Sequence, residues 1–83
     1  MTTLRIRYFA SIREALGPGE TLSTAAATLG ALRDELIARG GAHAEALARG
    51  KAVRLALDQV MADESASLRE GAEVAFFPPV TGG

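Results

Sequence analysis

The segment EVAFFPPVTGG, Glu73 to Gly83, combines a strand signal with an abrupt stop. Alternation over EVAFF sets Val74 and Phe76 on one face and Glu73, Ala75 and Phe77 on the other, as a half-buried strand requires. Pro78 and Pro79 lack a backbone N–H and fix their own φ, so the ladder ends after Phe77 and the chain departs as an extended arm. The same alternation occurs at the other end, where LRIRYF places Leu4, Ile6 and Tyr8 inward and Arg5, Arg7 and Phe9 outward. Two such strands with a helix between them are suited to parallel pairing, because a parallel pair needs a long crossover.

The intervening residues fill in that plan. ASIREALGPGE predicts a short helix carrying Ile12, Ala15 and Leu16 and stopped by Gly17-Pro18-Gly19, followed by a weak strand over Glu20 to Ser23. After Thr28, a candidate N-cap, Leu29, Leu32, Leu36 and Ile37 recur at helical spacing, with Arg33, Asp34, Glu35 and Arg39 expected to face away and Gly40-Gly41 to end the helix. A second helical piece over Ala42 to Arg49 has Leu47 as its apolar contact. VRLALDQVMA predicts a hairpin turning at Asp58-Gln59, with Val53, Leu55, Leu57 and Val60 inward and Met61 outward. Leu68 plugs the core from a polar connection. The expected fold is α+β, a β-grasp with a mixed sheet and its helix packed on one face. It forms a single domain over 1–83, with 78–83 an extended flexible C-terminal tail.

Composition removes several classes of function. Nine basic against ten acidic side chains, net charge -1 and no block of one sign, argue against a nucleic-acid or polybasic membrane surface. Without cysteine there is no thiolate metal site and no thiol nucleophile, and one histidine, His43, cannot hold a metal alone, so no metal is expected. His43 reads as a solvated surface residue, and Asp63 and Glu64 as a solvated loop. Arg5 and Arg7 interrupt what would be a signal core and no apolar stretch approaches the roughly 20 residues that span a bilayer, so the expected location is cytoplasmic.

Two features are left for function. Phe9, Met61 and Phe77 point outward on strands expected to be neighbours in the sheet, with Arg5, Arg7 and Arg13 as a polar rim, which reads as a docking patch with aromatic and methionine anchors. Beyond it, Val80 and Thr81 give the arm reach, and Gly82 and Gly83 carry no side chain that would bar a narrow channel. A carboxylate delivered in this way becomes an acyl donor once it is activated, for example as an acyl adenylate. Sulfur then yields a thiocarboxylate and an amine yields an amide.

EVAFFPPVTGG, together with YFASIREALG from Tyr8 to Gly17 and the length of the chain, resembles the MoaD-type sulfur carriers. These are the small subunits of molybdopterin synthase in the MoaD/ThiS family, related in fold to ubiquitin. The resemblance implies a ubiquitin-like β-grasp and a Gly83 that passes through a glycyl adenylate to a thiocarboxylate (1-thioglycine). Val80, Thr81 and Gly82 would enter the active site of a MoaE-type large subunit, where the sulfur passes to a cyclic pyranopterin precursor in molybdenum cofactor biosynthesis. It also implies a MoeB-type adenylating enzyme that uses ATP, no cofactor bound by this chain, a heterotetramer with the catalytic pocket on the large subunit, and partner contacts at Phe9, Arg13, Met61 and Phe77. A ubiquitin-like protein modifier and a sulfur carrier for another thiolation pathway use the same tail. Lys51, the single lysine, disfavours homopolymeric chains.

Overall fold

The computed structural model describes residues 1–79, so Val80, Thr81, Gly82 and Gly83 lie outside the described residues. Five strands and three helices follow in the order β1 (Thr2–Tyr8), α1 (Ala10–Leu16), β2 (Gly19–Thr24), α2 (Leu29–Ile37), α3 (Gly41–Ala46), β3 (Arg54–Leu57), β4 (Val60–Ala62) and β5 (Glu73–Phe77). They form one mixed sheet of strand order β2-β1-β5-β3-β4. β1 and β5 pair in parallel, with Ile6 opposite Val74 and Tyr8 opposite Phe76, and the remaining pairings are antiparallel. This is the ubiquitin-like β-grasp.

The parallel pair lies at the centre because its inward residues are the largest fully buried ones. Leu4, Ile6, Tyr8, Val74 and Phe76 meet Ile12, Leu29, Leu32, Leu36 and Leu47 from the helical side. The Tyr8 and Phe76 rings stack with centroids 5.9 Å apart. Apolar area removed from water contributes about 25 cal/mol per Å2, so this layer is the main favourable contribution to folding. Thr28 caps α2 by accepting a hydrogen bond from the Ala31 N–H at 3.2 Å. Gly19 lies so close to β1 that a Cβ there would come within 2.1 Å of the Ile6 carbonyl oxygen, which only glycine avoids.

Asp58 and Gln59 form the two-residue turn, both with positive φ (50° and 69°), as a hairpin of type I′ demands. Asp58 is suited to its place because its carboxylate accepts from the Glu73 N–H at 3.0 Å while its own N–H donates to the Glu73 carbonyl at 2.8 Å. The turn thereby ties the hairpin to the start of β5.

Several expectations change in three dimensions. Val60 is opposite Leu57 as expected, yet it is 68% exposed, because β4 is a three-residue edge strand with no helix over its face. Ala15 is exposed, so Ile12 and Leu16 alone bring α1 to the core. Gly40, with φ 75°, serves as the N-cap of α3, and α2 already ends at Ile37.

Arg33 was expected to face solvent and is 3% exposed. Its Nε donates to the Leu47 carbonyl at 2.8 Å, and Nη2 donates to those of Ala48 and Lys51 at 2.6 and 3.0 Å. Nη1 reaches Glu64 at 2.8 Å. The loop after α3 needs partners for its carbonyls, and a guanidinium with five donors supplies them on a stem that packs like an apolar chain. Glu64 is therefore an anchor shared by Arg33 and Arg49, and these two arginines, Arg49 foremost, hold its carboxyl below the usual range.

Candidate functional site

The outward face of the sheet is organised by register. Arg7, Ala75, Ala56 and Met61 form one row across β1, β5, β3 and β4, and Phe77 with Arg54 begins the next. Phe9 joins that second row. Its backbone stays extended (φ -126°, ψ 154°) and its N–H donates to the Phe76 carbonyl at 3.2 Å, continuing the parallel ladder by one residue. Ala10 then adopts φ 50° and turns the chain into α1. That left-handed residue separates a ring fixed in sheet register from the helix that follows.

Phe9 and Phe77 stack with ring centroids 4.6 Å apart at 11°. The Arg7 guanidinium carbon lies 5.6 Å from the centroid of Phe9, within cation–π range. Ala56 and Ala75 beside them are buried although they face outward, which leaves a flat floor bordered by the aromatic pair and, at the edge, by Met61. Met61 is 57% exposed and lies on β4, with β3 interposed between it and the Phe77 strand. The three anchors, expected on neighbouring strands, are instead a stacked pair and an outlier on one face, because β3 inserts between β4 and β5. Arg13 is exposed on α1, and Arg5 and Arg7 are exposed on β1.

Arg54 is an element of this face that sequence reading missed. It lies directly across from Phe77 and adds a cation next to the point where the chain leaves the sheet. Its outward position in VRLAL, between the inward Val53 and Leu55, was the available signal.

Behind the sheet is a polar clasp. The Tyr8 hydroxyl donates to Glu20 at 3.2 Å, and Arg39 forms a fork onto the two Glu20 oxygens at 2.8 and 2.9 Å. His43, expected in solvent, is half-buried there, edge-on to Tyr8 at 6.4 Å and 3.3 Å from Arg39. Gly40 opens α3 directly after α2, and His43 on it comes within 3.9 Å of Glu20. Hydrogen bonding from Arg39 holds the Glu20 carboxyl below its usual range, while burial pushes the Tyr8 phenol up. Each of these shifts favours the state that links the strands to α2 and α3. The clasp is structural, since every member is occupied by another.

The described residues stop just past these elements. Pro78 and Pro79 are half-buried beside α1 and α3, and the sequence-predicted Val80, Thr81, Gly82 and Gly83 lie outside the described residues. Among the described residues no group of three or more His, Cys, Asp or Glu could hold a metal ion.

The family model described as "ThiS family" matches residues 6–83, from the first strand through the terminal glycine. The chain belongs to the ThiS family. Two curated relatives, both called molybdopterin synthase sulfur carrier subunit, from Haemophilus influenzae and Escherichia coli, are each 38% identical over 81 residues. The match spans 96% of this chain and 99% of each relative. Among solved structures, the complex of subunits 1 and 2 of the molybdopterin-converting factor from Helicobacter pylori contains a chain similar to this one. It is 25% identical, with a TM-score of 0.70 over 99% of this chain and 100% of that one. For this ThiS-family chain, the likeness extends over the whole fold, including the β5 strand that leads to the tail.

Proposed function

We propose that this chain is the sulfur-carrier small subunit of a molybdopterin synthase. The observation that carries the reading is its 38% identity to two curated sulfur carrier subunits over nearly the full length of each, with the matched family region ending at Gly83. In this reading the chain supplies an acyl group and a handle, while a MoaE-type large subunit supplies the pocket. The subunit 1 and 2 complex from Helicobacter pylori supports a large-subunit partner.

The chemistry divides into two transfers. A MoeB-type enzyme joins the Gly83 carboxylate to the α-phosphorus of ATP, releasing pyrophosphate. A sulfur nucleophile then attacks the acyl carbon and AMP leaves with the bonding pair, giving the thiocarboxylate. In the synthase, a heterotetramer of two small and two large subunits, that sulfur displaces an oxygen from a carbon of a cyclic pyranopterin precursor, and water then cleaves the acyl carbon–sulfur bond, leaving sulfur on the precursor and returning Gly83 as a carboxylate. Phe9 and Phe77, with Met61 and Arg13, hold the partners, and Val80, Thr81 and Gly82 thread the tail. The location is cytoplasmic. No helix of the described residues is long and apolar enough to cross a membrane, which accords with it.

Intact mass spectrometry of the chain after incubation with an activating enzyme, ATP and a sulfur donor tests the reading. The expected product has one terminal oxygen replaced by sulfur, and adding a large subunit with precursor returns the original mass. An unmodified end under these conditions would sink the proposal. Covalent attachment to lysines of other proteins would favour the modifier instead.

A further inference from the structure

The two edges of the sheet differ. β4 is three residues long and offers little to pair with, whereas β2 presents six residues, about 20 Å of backbone, with no strand on its outer side. Charges, prolines and bulges are the usual guards of such an edge. β2 has none of them in place, since its register runs without a bulge and its one charge, Glu20, is turned to the helical side and held by Arg39. The ladder also shows which main-chain groups are unused. The Tyr8 N–H donates to the Pro18 carbonyl at 3.1 Å, and because hydrogen-bonded pairs alternate along an antiparallel ladder, Ile6–Glu20 and Leu4–Leu22 are the next bonded pairs. The N–H and C=O groups of Thr21 and Ser23 therefore point away from β1, and both residues are exposed.

We propose that β2 pairs with β2 of a second copy of this chain, antiparallel about a two-fold axis at Leu22, joining two sheets into one. This register sets Thr21 of each copy opposite Ser23 of the other, and each such pair exchanges two hydrogen bonds between groups that β1 does not use. Leu22 meets Leu22 of the second copy as a non-hydrogen-bonded pair, the closer kind, so a side chain only partly buried by its own core gains an apolar neighbour. On the helical side Glu20 comes opposite Thr24 of the second copy. Arg39 holds Glu20 and Thr24 donates to Glu35, so a cation of each copy faces a carboxylate of the other. On the outer side the contact between the Thr3 and Ser23 hydroxyls, 3.1 Å, extends to Thr21 of the second copy. Moving the axis to Thr21 would set Leu22 against Glu20 and bring the two Arg5 side chains into one row, so the match selects the register. The contact is narrow beside the about 800 Å2 per partner of a standard interface, so the pair is transient and forms at high protein concentration. Edge pairing leaves the Phe9–Phe77 stack uncovered, and it concerns the isolated chain, so its failure would leave the sulfur-carrier reading untouched.

NMR of the isotope-labelled full-length protein over about a hundredfold range of concentration tests the pairing. The Thr21, Leu22 and Ser23 amides should shift with concentration, and a mixture of labelled and unlabelled chains should give an intermolecular Hα–Hα contact from Leu22 to Leu22. Thr21→Pro deletes an outward N–H that β1 does not use, so it should keep the native shifts in β5 and the helices while losing the concentration dependence. Ser23→Lys is the second variant and makes no demand on φ. It sets an ammonium in the row of the second copy's Arg5 and should weaken the pairing about tenfold or more. Amides of β2 that do not move with concentration would overturn the proposal. So would movement that survives both variants, or that maps to β4 or to the Phe9–Phe77 face instead of β2.

Discussion

Replacing Arg33 by methionine keeps the apolar stem and deletes four donated hydrogen bonds, three to main-chain carbonyls and one to Glu64. Breaking a buried charged pair on one side costs about 3–5 kcal/mol, because the partners left behind lose their compensation. Glu64 is 38% exposed and keeps Arg49, so its share is small and the lower end, about 3 kcal/mol, applies. An 83-residue chain at about 0.05–0.15 kcal/mol per residue has about 4–12 kcal/mol in total, so this one side chain decides a large part of it. At about 4–8 °C per kcal/mol for a domain of this size, Tm falls by about 12–24 °C. Arg49 supplies the control. It bonds the same Glu64, and also Asp34 and the Gly30 carbonyl, but is 45% exposed, and Arg49→Met should cost no more than about 1 kcal/mol. Urea unfolding followed by far-ultraviolet circular dichroism gives both values from the midpoints, provided the slopes agree. Equal costs within about 1 kcal/mol would refute the claim that burial, and not the number of partners, sets the worth of these arginines.

Gln59→Gly should raise stability by about 0.5 kcal/mol, since relief of the left-handed backbone at φ 69° outweighs the entropy of glycine, and the same urea midpoint checks it. Glu20 has a depressed folded pKa, so its contribution is present above the unfolded value near 4.5 and is lost as pH falls through the lower folded value. Glu20→Gln should therefore flatten the acid limb of stability against pH. Tyr8 is shifted upward, so its contribution is complete below its ordinary value of 10.0 and declines as pH rises beyond it. Tyr8→Phe should remove that alkaline decline in the same titration. Phe77→Ala should weaken binding to a large subunit by about 2 kcal/mol or more in calorimetry, in the manner of a central aromatic anchor. Its cost to folding should stay near the about 0.5–1.5 kcal/mol of one aromatic stack plus the partial burial of the ring.

The parallel centre of the sheet was legible because β1 and β5 each alternate cleanly and the residues between them contain a capped helix. Face assignments followed from period two, and Phe9, Met61 and Phe77 all have the outward register that alternation predicts. Strand order was the information alternation lacks. A residue's face is local, whereas its neighbours depend on which strand inserts beside which, and β3 between β4 and β5 removes Met61 from the aromatic pair. Arg33 was misread for a related reason. Helical spacing marks it as a polar position, but the carbonyls that bury it come from a loop about 15 residues later, which periodicity within one helix does not encode. The alanines of α3 showed propensity and no apolar stripe, so the groove they leave against α1 became visible only when the two helices met.

The position of β5 bears directly on how a tail can be delivered. It has neighbours on both sides, β1 in parallel and β3 antiparallel, so its backbone is bonded along both edges up to Phe77. Central strands open with the highest local free energies in a domain, while edge strands and termini fray at little cost. A tail leaving from β2 or β4 would start from such an edge, and its point of departure would wander. Leaving from β5, it starts from a backbone position fixed on one face by the buried Phe76 and on the other by the Phe9–Phe77 stack. For a sulfur carrier of the kind proposed, a partner that grips that stack would meet Pro78 and Pro79 at a fixed point.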